Sequence, residues 1–122
     1  MANILVVEDD MLSAKMLRDF LTARGHTTSV ATNGETGVEA FHRNPPDLMI
    51  VDVALPRKNG FEVCFEVKRT EHGRAMPLIL MSAVYTDVDH AQRYASEDLR
   101  ANDYLVKPFS LKDLATRVDE LL

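Results

Sequence analysis

The sequence predicts an α/β fold in which a five-stranded parallel sheet is covered by helices on both faces. Apolar runs of four to six residues, the length of a buried strand, alternate with stretches of helical period. No Ser/Pro-rich linker, repeat or low-complexity segment interrupts that alternation. At 122 residues the chain has the commonest domain size, so one domain over residues 1–122 with one core is the expectation.

The first strand is Asn3 to Val7, and the helix after it, Met11 to Arg24, carries Ala14, Leu17, Phe20 and Leu21 and stops at Gly25. Strand two is the weaker run Thr27 to Ala31. Asn33-Gly34 opens a second helix with Val38 and Phe41 inward, and Asn44-Pro45-Pro46 ends it, because proline offers no helical N–H. Strand three, Leu48 to Asp52, is followed by a turn at Pro56 and Asn59-Gly60. Val63, Cys64 and Val67 then share one face of a third helix, which makes Cys64 a core residue. Pro77 precedes strand four, Leu78 to Ser82. The segment Thr86 to Leu99 has only Val88, Ala91, Ala95 and Leu99 to bury and is expected to form a marginal, polar fourth helix. Strand five, Tyr104 to Val106, leads into Ser110-Leu111-Lys112-Asp113, which is similar to a capping box with Asp in place of Glu or Gln. Leu111, Leu114, Ala115, Val118 and Leu121 give the last helix its apolar face.

Composition narrows the functional classes. A net charge of −5 without a Lys/Arg cluster argues against direct nucleic-acid binding by this chain. The single cysteine excludes an internal disulfide and fits a reducing cytoplasm, and His26, His42, His72 and His90 lack the spacing of a zinc site. Ile4 to Val7 is too short for a membrane span and lacks the flanks of a signal peptide, so no membrane association and a cytoplasmic location are expected.

In an open doubly wound sheet, ligands bind beyond the carboxyl ends of the strands. Those ends read Glu8-Asp9-Asp10 after strand one, Asp52 on strand three, Ser82 on strand four and Lys107 after strand five. Two carboxylates about 4 Å apart repel by roughly 4 kcal/mol at an effective dielectric near 20, so a cluster of Glu8, Asp9 and Asp52 needs a compensating cation. One lysine cannot neutralise it. Hard oxygen donors without sulfur or imidazole favour Mg²⁺, and Mg²⁺ beside a carboxylate points to phosphoryl transfer. There Asp52 could attack phosphorus while the metal, Ser82 and Lys107 bind the phosphoryl oxygens. Asp10 reads as a helix N-cap.

With these residues in view, the chain resembles, over its whole length, the receiver domains of two-component response regulators, including the single-domain chemotaxis regulator. The resemblance rests on Val6-Val7-Glu8-Asp9-Asp10, on Asp52-Val53-Ala54-Leu55-Pro56 with Asn59-Gly60, on Met81-Ser82-Ala83, and on Asp103 to Phe109. It implies a flavodoxin-like sheet of order 2-1-3-4-5. Asp52 would be the phosphoacceptor, charged by a phosphohistidine on a sensor histidine kinase or phosphotransfer protein. Asp9 would ligate Mg²⁺ directly and Glu8 through water, with Asp52 and the Ala54 backbone carbonyl completing the protein ligands. Ser82 would be the switch hydroxyl, Tyr104 the aromatic that changes rotamer, and Lys107 the phosphate-binding ammonium, with Lys107-Pro108 a cis peptide. The output would leave through the surface of the Thr86–Leu99 helix, strand five and the last helix, toward a downstream protein or output domain. A homodimer through that surface is also admitted.

Two departures stand out. Arg100-Ala101 replaces the family's frequent Gly-Ala, and the stretch from Ser82 to Lys107 is a few residues longer than is common. At the positions two after Asp52 and two after Ser82, Ala54 and Val84 cannot orient a hydrolytic water, which implies slow autodephosphorylation. Competing readings are a pseudo-receiver that binds partners without taking phosphate, and a phosphohydrolase. The latter lacks the second carboxylate of a D-x-D motif, since Ala54 occupies its place. Whether the chain stands alone or is cut from a longer protein is left open.

Overall fold

Strands β1 (Asn3–Val7), β2 (Thr27–Ala31), β3 (Leu48–Asp52), β4 (Leu78–Ser82) and β5 (Asp103–Val106) pair in parallel in the order β2-β1-β3-β4-β5. This is the expected flavodoxin-like arrangement. The computed structural model describes residues 1–83 and 93–122. Central β3 and β4 are buried at every residue, as strands covered on both faces must be. Edge strand β2 exposes Thr27 and Ser29, which is why its apolar run is the weakest.

Successive strand side chains point to opposite faces, so the sheet divides the core into two layers. On one face Ile4, Val6, Ile50, Ile79 and Met81 meet Leu17 and Leu21 of α1 (Met11–Ala23) and Leu114 and Val118 of α5 (Leu111–Leu121). On the other, Leu5, Val7, Met49, Val51 and Leu80 meet Phe41 of α2 (Gly34–Arg43) and Val63, Cys64 and Val67 of α3 (Gly60–Lys68). Each such side chain, once fully buried, contributes roughly 1.5–3 kcal/mol relative to exposure. Cys64 is wholly buried, as its place in the α3 pattern predicted.

Helix ends follow the local chemistry. Asp10 caps α1 by accepting from Ser13 N (3.1 Å) and Ser13 Oγ (2.6 Å). Asn33 caps α2 through Thr36 N (2.9 Å), and Ser110 caps α5 through Asp113 N (3.0 Å). The complete capping box lies at α3, where Asn59 and Glu62 satisfy each other's backbone N–H (2.9 and 3.1 Å).

A short helix, α4 (Glu71–Ala75), precedes β4 and has no counterpart in the sequence-based expectation. It is too short to show a period, and Thr70 starts it by accepting from Gly73 N. Of the predicted helix from Thr86 to Leu99, residues 86–92 lie outside the described residues. The remainder contains a π-helical turn, Tyr94–Asp98, with Ala95 and Leu99 buried as predicted. The Lys107-Pro108 peptide is cis.

Candidate functional site

Parallel pairing aligns the strands so that their carboxyl ends share one edge. Val7 pairs with Val51, Asp52 with Met81 and Ser82 with Val106, which sets Glu8, Asp52, Ser82 and Lys107 side by side. Glu8 is only 1% exposed and Asp52 5%, while Asp9 faces solvent. One carboxylate oxygen from each of Glu8, Asp9 and Asp52 lies within 4.8 Å of the other two.

Lys107 answers part of that charge. Its Nζ lies 2.9 Å from Glu8 Oε1 and 3.4 Å from Asp52 Oδ1. Burial works against the ammonium, but the Glu8 and Asp52 carboxylates outweigh it and hold Lys107 above its ordinary pKa. The other Glu8 oxygen accepts from Asp10 N at 3.2 Å. Asp10 is committed elsewhere: its bonds from Ser13 hold its carboxyl below the usual range, which suits a helix cap.

Among the described residues, Lys107 is the only cation paired with Glu8 or Asp52, so three clustered carboxylates face one ammonium. That surplus of negative charge on hard oxygen donors fits a divalent cation of the Mg²⁺ kind. Ala54 is exposed in the loop two residues past Asp52.

Two further candidate residues stand beside and beneath this cluster. Ser82 is buried at the end of β4, and its hydroxyl donates to the carbonyl of its neighbour Ala83 (3.0 Å). Tyr104 is 7% exposed and packs in the layer that holds Leu99, Ala101 and Cys64. Val84 lies outside the described residues.

Sequence reasoning missed what shapes the loop between Asp52 and α3. A Cβ on Gly60 would come within 2.3 Å of the Asp52 carbonyl oxygen, so only glycine lets α3 start this close to the acceptor strand. Arg57 adopts φ 69°, a left-handed conformation that L side chains rarely take. The Asn59-Gly60 pair was the available signal, legible as a turn but not as a close approach.

A five-stranded parallel sheet with an acidic cluster and a lysine at its carboxyl edge defines the class. The chain belongs to the response regulator receiver domain family, whose model matches residues 4–119. Among curated proteins it is similar to the transcriptional regulatory protein AfsQ1 of Streptomyces coelicolor, with 36% identity over all of this chain and 52% of that protein. It is likewise 36% identical to the response regulator MprA of Mycobacterium ulcerans, over 98% of this chain and 50% of that one. The chain thus spans about half the length of the curated relatives it matches. Among solved structures, a putative response regulator from Chloroflexus aurantiacus superposes with TM-score 0.88 at 32% identity, covering 98% of this chain and 96% of that one. The signal receiver domain of a histidine kinase from Syntrophus aciditrophicus gives 0.90 at 31%, covering 100% and 90%. Among the described residues no helix is long and apolar enough to cross a membrane.

Proposed function

We propose that the chain is a single receiver domain over residues 1–122 that acts in the cytoplasm as a phosphorylation-activated switch, with Asp52 as phosphoacceptor. The observation that carries this is the buried Asp52 carboxylate, held at the end of β3 among Glu8, Asp9 and Lys107. A carboxylate oxygen of Asp52 forms a bond to phosphorus as the P–N bond of a phosphohistidine breaks. The donor nitrogen keeps the bonding electrons and takes a proton, leaving neutral imidazole. The donor is a sensor histidine kinase or phosphotransfer protein.

Glu8, Asp9, Asp52 and the Ala54 carbonyl are the groups that would hold Mg²⁺, which when bound neutralises charge on the phosphoryl oxygens. Lys107 moves its ammonium from Glu8 and Asp52 toward those oxygens. Ser82 exchanges its bond to Ala83 for one to the phosphoryl group, and Tyr104 responds in the layer beneath. A phosphoryl group adds up to about two negative charges, enough to bias a two-state surface around β5 and α5. The relatives named as transcriptional regulators are about twice this length, which supports an attached output domain or a separate downstream protein as recipient.

Incubation with Mg²⁺ and a small-molecule phosphodonor, followed by intact-mass measurement, tests the reading. One acid-labile phosphate is expected, absent in Asp52→Asn and lost over many minutes because Ala54 cannot orient a water. Decay within seconds would contradict slow loss. No adduct on the wild type would instead make the chain a phosphorylation-independent interaction module, and sustained turnover would make it a phosphohydrolase.

A further inference from the structure

We propose that Gly34, the first residue of α2, is a positioning residue for the Asp52 site: it seats the loop that leaves the acceptor strand. The inference rests on the Mg²⁺-dependent receiver reading given above. Residues 53–59 fold back onto the amino-terminal end of α2. Gly34 N points at the Pro56 carbonyl (3.4 Å), to which Lys58 N also donates (2.8 Å). A Cβ at position 34 would stand 1.8 Å from the Lys58 carbonyl oxygen and 2.6 Å from its carbon. Both are backbone atoms, so no rotamer change relieves the overlap.

The loop is confined at its far end as well. Gly60 N donates to Val53 O (2.9 Å), and α3 begins against the Asp52 carbonyl through the missing Cβ of Gly60. Between these contacts the chain turns through left-handed Arg57, whose guanidinium meets Glu35 on the next position of α2 (3.6 Å). A side chain at 34 therefore has to push the loop away from α2 by more than about an ångström, because packed interiors hold no spare volume. Ala54, which would give its carbonyl to the metal, lies in this loop, and misplacement by about 1 Å can cost as much as a hundredfold in a catalytic step. Asn33, by fixing the first turn of α2 through Thr36 N, holds the seat itself in place.

Gly73 supplies a matched control. A Cβ there would also stand 1.8 Å from a backbone oxygen, that of Val67, but at the opposite end of α3 from Asp52. Mg²⁺ titration followed by the amide resonances of residues 52–55, 57 and 58, run beside thermal unfolding, separates positioning from general damage. Gly34→Ala is expected to raise the Mg²⁺ concentration for half-saturation about tenfold, and that for half-maximal phosphorylation equally, by displacing the loop. Gly73→Ala should lose comparable thermal stability yet titrate as the wild type does. If Gly34→Ala does not fold, Asn33→Ala against Thr70→Ala repeats the comparison with cap removals, with roughly threefold weaker Mg²⁺ binding expected for Asn33→Ala alone. Equal Mg²⁺ titrations within each pair would overturn the positioning role while leaving the receiver reading intact. A wild type that neither binds Mg²⁺ nor takes phosphate would remove both.

Discussion

Lys107 and Asp9 hold the charge balance of the site from opposite sides. Asp9 adds an exposed carboxylate to a cluster that already contains two buried ones, so in the absence of a metal it is a cost. Asp9→Asn is expected to raise stability in metal-free buffer by about 1 kcal/mol and to abolish the gain from Mg²⁺, both readable by denaturant unfolding. Lys107→Met should do the reverse, lowering stability by about 2 kcal/mol, because Glu8 and Asp52 then stay buried without their cation. The pH dependence follows from the raised pKa of Lys107. Its contribution is fully present below 10.5, the ordinary lysine value, and fades as pH rises through the higher folded value, so the variant should show a flatter alkaline limb. Glu8, Asp52 and Lys107 were legible as strand-ending charges. The resting bond of Ser82 to Ala83 was not, because a hydroxyl chooses its partner by local rotation.

Strands and the last helix were the elements easiest to foresee, since period and burial agree in them. Leu114, Ala115 and Val118 are buried, with Leu111 and Leu121 at the rim, as their spacing required. The approach to β5 was opaque because polar contacts shape it. Asn102 Oδ1 accepts from Leu78 N (2.9 Å) and from Lys68 Nζ (2.8 Å), and Cys64 Sγ reaches the Leu99 carbonyl (3.5 Å). Lys68 is 7% exposed, and burial depresses its pKa. No periodic pattern announces such a lysine. In the same stretch Arg100 takes φ 63°, a left-handed conformation that glycine adopts without steric cost, at the position where the resemblance leads one to expect Gly. A left-handed L residue costs about 1–2 kcal/mol, part of which glycine returns as chain entropy, so Arg100→Gly should raise the unfolding free energy by up to about 1 kcal/mol.

At the scale of the molecule, the alternation of elements predicted an open parallel sheet, the resemblance to receiver domains supplied its order, and the candidate site lies at the carboxyl edge where ligands of such sheets gather. The close approach at Gly34 and the short helix α4 escaped notice because close packing and local capping have no period. A cation that binds only the folded state must stabilise it. Mg²⁺ at about ten times its dissociation constant should add roughly 1.4 kcal/mol, a rise in melting temperature of about 3–6 °C that a chelator reverses. Asp52→Asn should shrink that rise.

The ion pair between Glu8 and Lys107 joins residues 99 positions apart, with Asp52 near the middle of that interval. A chain emerging from the ribosome has its first acidic residues long before the lysine that steadies them. Until β5 docks, the carboxylates that β1 and β3 bring together have no Lys107 beside them, and a partly synthesised or truncated chain leaves Glu8 and Asp52 without that cation. The charge balance of the site is thus completed last, and the ion pair marks a polypeptide that has been made and folded through its fifth strand.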